Sequence, residues 1–166
     1  MKPAVFAIGA CACTPAVTGL FWVENRIPQP TESPSIPTMK FLLAVDGSRY
    51  TRRMLTYIVS NELLFRPHYE YVLFHVPPKA DKGLDTAASA TVLDESSLFL
   101  ETQGFTPLRM LRQGTPAAEL VRAANQLQSN MIVMGCRGLS ALETAVMGSV
   151  TTEVLASSHV PVLVIR

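Results

Sequence analysis

The chain has 166 residues, of which 48% are hydrophobic and 16% are charged. Because globular domains carry about 25% charged residues and disordered chains are poor in apolar ones, this composition excludes disorder throughout the chain. The net charge of +1 excludes the positive field that neutralises nucleic-acid phosphates, so we expect no nucleic-acid partner. Three cysteines are too few for a disulfide framework, and we expect a cytoplasmic protein.

Residues 1–38 differ from the rest of the chain. They hold six of the twelve prolines and four charged residues. The Ser/Thr-rich stretch 27–38 contains four of these prolines, and each removes a backbone donor and fixes φ, which predicts an extended linker. Residues 3–23 form an uncharged run that prolines and glycines interrupt. We favour a disordered extension or a mis-assigned start site, with Met39 as the natural start, over a targeting signal or membrane anchor, and we expect no membrane partner.

Strand and helix patterns alternate from residue 39 to residue 166. The predicted strands are 41–45, 69–76, 108–112, 131–134 and 160–165. The predicted helices are 48–65, 87–102, one that begins at Thr115-Pro116, and 148–158. We assign Leu63 to the apolar face of the first helix, and Val92, Leu93, Leu98 and Phe99 to that of the second.

This order predicts an α/β fold. Fully apolar strands such as Phe41–Val45 are typical of a parallel sheet that is covered on both faces. We therefore expect a doubly wound, flavodoxin-like or Rossmann-like, five-stranded parallel sheet with helices on both faces. Ligands of such sheets bind beyond the carboxyl ends of the strands, where the strand order reverses, which directs attention to the turns after Val45, Val76 and Met134.

A glycine pattern follows the fourth predicted strand. Gly135 and Gly138 are followed, after nine residues, by Gly148-Ser149 at a helix start. Glycines allow backbone N–H groups to approach an anion, and a helix N-terminus adds N–H donors and partial positive charge. The pattern therefore indicates a phosphate site, to which Arg137 and the Ser149 and Thr151 hydroxyls could contribute donors; the alternative is that the glycines close a tight connection. It matches neither the P-loop nor the dinucleotide fingerprint.

The core resembles the universal stress protein family, in its ATP-binding branch. The family signature G-x2-G-x9-G-[ST] is matched by the glycine pattern above and by Ser149. The flanking segments LLAVDGS, FHV, GSVT and PVLVIR, at 42–48, 74–76, 148–151 and 161–166, agree as well. The resemblance implies a nucleotide-binding domain over residues 39–166 and covers none of residues 1–38.

The resemblance also implies a ligand and a set of site residues. The ligand is ATP, or AMP or ADP, with Mg²⁺, and the partner is a second copy of the chain, paired through the strand Val160–Ile165. Asp46 would contact the nucleotide, Val76 would lie against adenine, and the helix start at Gly148 would hold the phosphates. The implied nucleotide-binding residues are Ala44, Val45, Asp46, Val76, Met134, Gly135, Arg137, Gly138, Gly148, Ser149, Val150 and Thr151. The resemblance implies no catalytic residue. It also implies no metal-binding residue, because Mg²⁺ would arrive with the nucleotide.

Several alternatives stay open at this stage. Asp46 could instead close the turn before the first helix or bind Mg²⁺. We interpret His75 as a hydrogen-bonded interior histidine, and Cys136, where the family usually has Ser or Thr, as a small buried side chain rather than a redox switch. For the whole protein, the alternatives to a ligand-linked stress-response regulator are a nucleotide-free dimeric interaction module and a slow ATP hydrolase. The matched residues include no general base, so we do not predict an enzyme.

Overall fold

The computed structural model describes residues 38–77, 86–138 and 147–166. These ranges contain five strands, namely β1 (Lys40–Ala44), β2 (Glu70–His75), β3 (Leu108–Leu111), β4 (Met131–Gly135) and β5 (Val162–Ile165). Four helices alternate with them, namely α1 (Arg49–Ser60), α2 (Thr86–Glu101), α3 (Pro116–Gln126) and α4 (Ser149–Ser157). The predicted extension, 1–38, lies outside the described residues apart from Thr38, so its assignment stays a prediction.

The strands form one parallel sheet in the order β3-β2-β1-β4-β5. This confirms the predicted fold class. The order is that of the first five strands of a Rossmann sheet, and it differs from the flavodoxin order 2-1-3-4-5. The strand order reverses between β1 and β4, because the chain runs outward through β2 and β3 before it returns to the other side of β1.

Successive residues of β1 enter different halves of the core, since side chains alternate across a strand. Phe41 and Leu43 belong to the cluster that includes buried residues of α1 and α2. Leu42 belongs to the opposite cluster, which includes buried residues of α3 and α4. Both faces of the sheet are thus covered by helices, which explains why its central strands are apolar at every position.

Helix α1 is shorter than the sequence predicts. It ends at Ser60, and the backbone N–H groups of Leu64 and Phe65 both donate to the carbonyl of Asn61. This turn brings Phe65 into the core, where its ring lies 5.1 Å from that of Phe41. The placement of Leu63 on the apolar face was wrong, because this side chain is 92% exposed.

The buried face of α2 also differs from the prediction. Leu93 is buried as predicted, but Leu98 and Phe99 are exposed, and the buried face is completed by Leu100, Ser96 and Ser97. The two serine hydroxyls can face inward because Ser96 donates to the carbonyl of Val92 and Ser97 donates to the Glu101 carboxylate. Apolar periodicity misses such a face, since half of it is polar but internally hydrogen-bonded.

The last strand begins later than the prediction. It starts at Val162 rather than Val160, and the Val160 N–H donates to the Ser158 hydroxyl instead of joining the sheet.

Within the described ranges, no helix combines the length and the apolarity that a bilayer crossing requires.

Candidate functional site

A cavity of about 260 Å³ opens at the carboxyl ends of β1, β2 and β4, where the strand order reverses. All twelve residues singled out from the sequence line its walls. They come from four separate segments, 44–46, 76, 134–138 and 148–151, so the fold brings together positions that are far apart along the chain. Their role in nucleotide binding stays a prediction.

Five lining residues were not predicted, namely Thr51, Phe74, His75, Pro116 and Leu120. The alternation of β2 could have indicated Phe74, because it points to the same face as Val76. Pro116 and Leu120 belong to α3, and no local pattern indicates that α3 borders this cavity. One wall of the cavity is apolar and is formed by the side chains of Phe74, Val76, Leu120 and Met134. The polar backbone groups of the first turn of α4 lie at another side of the cavity.

Asp46 is held by the turn that joins β1 to α1. Its Oδ1 accepts hydrogen bonds from the Ser48 backbone N–H at 3.0 Å and from the Thr51 hydroxyl at 2.7 Å. The cap of α1 is Ser48, whose hydroxyl oxygen accepts from the backbone N–H groups of Tyr50 and Thr51. Gly47 has φ +76°, which is the left-handed region that suits glycine at this turn. Asp46 therefore closes the turn and also faces the cavity.

At each signature glycine a side chain would meet a close neighbour. A Cβ on Gly135 would come 2.7 Å from the Cβ of Tyr50, so α1 can pack against the end of β4 because Gly135 lacks one. A Cβ on Gly138 would come 2.7 Å from Oδ2 of Asp46, and one on Gly148 would come 3.3 Å from the Cα of Arg137. Close packing alone accounts for Gly135, whereas Gly138 and Gly148 keep the cavity side of the loop open.

Helix α4 presents its N-terminus to the cavity. Gly148 is its N-cap and supplies no side-chain cap, and residues Ser149 to Thr151 line the cavity. The first N–H groups of a helix have no partner within the helix and carry partial positive charge, which makes this end suited to an anion. The Thr151 hydroxyl does not serve this end as a free donor, because it donates to the carbonyl of Gly135 at 3.1 Å. Thr151 thus ties α4 to β4, and Ser149 is the exposed hydroxyl of the turn.

Arg137, Cys136 and His75 have defined partners in the fold. The Arg137 guanidinium donates to the Tyr50 hydroxyl oxygen at 3.2 Å. Cys136 is buried and its backbone N–H donates to the carbonyl of Ile165. His75 is buried with Nδ1 2.7 Å from the carbonyl oxygen of Val45, as the sequence interpretation expected, so Nδ1 donates a hydrogen bond to that carbonyl.

Among the described residues that line the cavity, Asp46 supplies the one carboxylate. Within the described ranges, no three side chains of His, Cys, Asp or Glu lie close enough to hold an ion together. A divalent cation here would take Asp46 as a ligand and would need further oxygen ligands from a bound phosphate and water, which is a usual arrangement for Mg²⁺.

The model of the universal stress protein family matches residues 37–166. Universal stress protein Sll1654 of Synechocystis is 33% identical over 93 residues, which cover 54% of this chain and 59% of that protein. Universal stress protein MJ0577 of Methanocaldococcus jannaschii is 36% identical over 67 residues, which cover 40% of this chain and 41% of that protein. The chain spans between 32% and 59% of the length of the first four curated relatives that it matches.

Solved structures share the fold. The structure of MJ0577 superposes with a TM-score of 0.67 at 26% identity, covering 76% of this chain and 94% of that one. The universal stress protein of Archaeoglobus fulgidus in complex with dAMP superposes with a TM-score of 0.59 at 20% identity, covering 77% of this chain and 98% of that one. Because the Archaeoglobus fulgidus protein is 20% identical to this chain, its similarity concerns the fold alone.

Proposed function

Because the chain belongs to the universal stress protein family, we propose that residues 39–166 bind an adenine nucleotide in the cavity at the ends of β1, β2 and β4. The ligand is ATP with Mg²⁺, and the bound state acts as the signal in a stress response. Binding alters a response because a ligand stabilises the state that it prefers, by an amount set by its differential affinity for the two states.

One observation carries this proposal, which is the convergence of the twelve motif residues on a single cavity with two unlike walls. The apolar wall around Val76 and Met134 suits a flat base, and the first turn of α4 suits phosphates. Asp46 lies between them, beside Gly138, where its carboxylate can accept from ribose hydroxyls or share a Mg²⁺ ion with a phosphate. The cavity volume of about 260 Å³ lies near the lower end of the range for small-ligand sites, roughly 300–1,000 Å³.

The fold supports the same ligand class in another protein, since the Archaeoglobus fulgidus structure holds dAMP. We propose binding rather than turnover, because Oδ1 of Asp46 and Nδ1 of His75 are both engaged in hydrogen bonds within the fold. A general base for water would need an acceptor aimed at the attacking oxygen. We also propose that two copies pair through the edge strand β5, and that the protein acts in the cytoplasm.

The second candidate function is a nucleotide-free dimeric interaction module. It is favoured by Gly135, whose place in the signature is explained by its contact with Tyr50 without any ligand. In that case the glycine loop would serve only to let α1 and β4 pack closely, and β5 would be the functional surface.

A nucleotide assay separates the two candidates. Freshly purified protein is denatured and its released small molecules are resolved by anion exchange, and thermal unfolding is then followed with Mg²⁺-ATP and with Mg²⁺-GTP. ATP at 100 times its dissociation constant stabilises the folded state by about 2.7 kcal/mol, which we expect to raise the melting temperature by several degrees while GTP does not. Absence of bound nucleotide together with an unchanged melting temperature in ATP would refute the nucleotide proposal and favour the interaction module. Phosphate release measured on the same sample distinguishes binding from slow hydrolysis.

A further inference from the structure

Two arginines converge on one tyrosine at the start of α1. Nη2 of Arg49 donates to the hydroxyl oxygen of Tyr50 at 3.1 Å, and Nη1 of Arg137 donates to the same oxygen at 3.2 Å. The guanidinium carbons also lie 5.0 and 5.8 Å from the centroid of the Tyr50 ring. The phenol thus holds two groups of like charge close together, by hydrogen bonds and by the attraction of a cation to an aromatic face.

Both guanidinium groups of this cluster carry a positive charge. Among the described residues, no carboxylate forms an ion pair with Arg49; the ion pairs there involve Lys40, Arg109 and Arg122. Asp46, in the adjoining turn, has Oδ1 bonded to Ser48 and Thr51. Among the described residues, this corner of the molecule thus places two guanidinium groups beside the carboxylate of Asp46, and paired guanidinium groups attract an anion.

The cluster borders the glycine loop rather than the apolar wall of the cavity. The Cβ of Tyr50 lies 2.7 Å from where a Cβ on Gly135 would be, and the Cα of Arg137 lies 3.3 Å from where one on Gly148 would be. Arg137 is itself a lining residue of the cavity. An anion that extends from the first turn of α4 past Arg137 would therefore meet the second guanidinium, that of Arg49.

We infer that Arg49 and Arg137, held by Tyr50, form a clamp for the outer phosphates of the nucleotide, and that the site thereby selects di- and triphosphates over monophosphates. This inference rests on the proposed function. The backbone N–H groups of α4 suffice for a first phosphate, whereas each added phosphate brings charge and oxygen acceptors that guanidinium groups bind strongly. The family signature gives no role to Arg49 or Tyr50, so the selectivity belongs to this chain's own residues.

The test compares AMP, ADP and ATP, each with excess Mg²⁺, by isothermal titration of the full chain. The variants are Arg49→Gln and Tyr50→Phe, with Arg53→Gln as the matched control, because Arg53 is an exposed arginine of the same helix outside the cluster. Loss of a charge-assisted contact in Arg49→Gln is expected to weaken ATP binding about tenfold and ADP binding several-fold, with AMP binding changed less than about twofold. Tyr50→Phe keeps the ring and removes the oxygen that both arginines share. We therefore expect smaller losses of affinity, again largest for ATP and smallest for AMP.

Three results would overturn the clamp. They are equal changes for all three nucleotides in Arg49→Gln, unchanged ATP binding in that variant, and an ATP-selective loss of the same size in Arg53→Gln, which would indicate general electrostatic attraction. Each of these results applies when the wild-type chain itself binds nucleotide. A wild type that binds none of the three refutes the proposed function itself, and the clamp with it. Arg49 is exposed, so its replacement leaves the core intact.

Discussion

Thr51 and Asp46 are joined by two hydrogen bonds. The Thr51 hydroxyl donates to Oδ1 of Asp46 at 2.7 Å, and the Thr51 hydroxyl oxygen accepts from the Asp46 backbone N–H at 3.1 Å. Thr51 is buried in α1, whereas Asp46 follows the end of β1 at the cavity. The pair therefore fixes the carboxylate relative to the helix and leaves Oδ2 on the side of Gly138.

Replacing Thr51 with Val tests whether this orientation matters for binding. The change keeps the shape of the side chain, removes its donor and leaves the partly buried Asp46 N–H without its acceptor. We expect the free energy of unfolding to fall by about 1–2 kcal/mol and ATP affinity to fall several-fold, because Asp46 is no longer held. Urea denaturation and calorimetric titration measure the two effects.

Thr56→Val is the matched control, since Thr56 lies on the exposed side of α1 and its hydroxyl donates to the carbonyl of Arg52. It should leave both quantities near their wild-type values. Equal ATP affinity in Thr51→Val and wild type would show that Asp46 needs no support from Thr51.

Gly148→Val tests the phosphate end of the cavity. A Cβ there lies 3.3 Å from the Cα of Arg137 and 3.6 Å from the backbone nitrogen of Gly138, so a branched side chain must displace the loop that lines the cavity. We expect ATP binding to weaken at least about tenfold, equivalent to 1.4 kcal/mol. Ser149→Ala, which removes one exposed hydroxyl and adds no bulk, should weaken it less. Retention of full affinity in Gly148→Val would place the phosphates elsewhere.

The carboxylate end is tested by two changes at Asp46. Asp46→Ala is expected to weaken ATP binding at least about tenfold, but it also removes the acceptor of the Ser48 N–H. Asp46→Asn retains an oxygen that can accept that bond, so it tests the charge separately. If the charge serves a shared Mg²⁺ ion, Asp46→Asn should weaken binding of Mg²⁺-ATP and not that of metal-free ATP. Equal losses in the two titrations would contradict a role in metal binding.

Pairing through β5 is tested by Val164→Pro. Strand β5 is at the edge of the sheet, and the carbonyls of Pro161 and Ile165 accept from β4. Backbone groups alternate in direction along a strand, so those of Val164 point away from β4, and proline at that position removes an outward N–H without breaking the ladder. We expect a dimer in the wild type and a monomer in the variant by light scattering, with Val164→Thr remaining dimeric. A monomeric wild type would refute the proposed pairing.

We expect Tyr71 to make the free energy of unfolding depend on pH in the alkaline range. Its side chain is buried and its hydroxyl donates to the carbonyl of Arg66 at 2.9 Å. Burial raises the pKa of the Tyr71 hydroxyl, and the neighbouring Tyr69 raises this pKa further. The folded state therefore keeps a proton that the unfolded state releases above about pH 10, so this contribution is complete below that pH and is lost as the pH rises. Tyr71→Phe should show a smaller fall in unfolding free energy above pH 10, measured with urea, and equal falls would contradict this assignment.

The sequence alone determined the order of elements and twelve of the residues that line the cavity. Apolar runs mark strands that are covered on both faces, and the spacing of Gly135, Gly138 and Gly148 identified the loop that lines the cavity. These features are local or belong to a fixed motif, so they can be recognised without knowing which elements are neighbours.

The tertiary structure decided the features that depend on contacts distant in sequence. It placed Leu120 of α3 at the cavity, and it turned Ser96 and Ser97 toward the core, where hydrogen bonds satisfy their hydroxyls. It also brought Arg137 to Tyr50, which lies 87 positions earlier in the chain. Periodicity records which positions are apolar, but it contains no information on which surfaces meet, and these contacts exist because the crossover connections of a parallel sheet bring β4 beside β1.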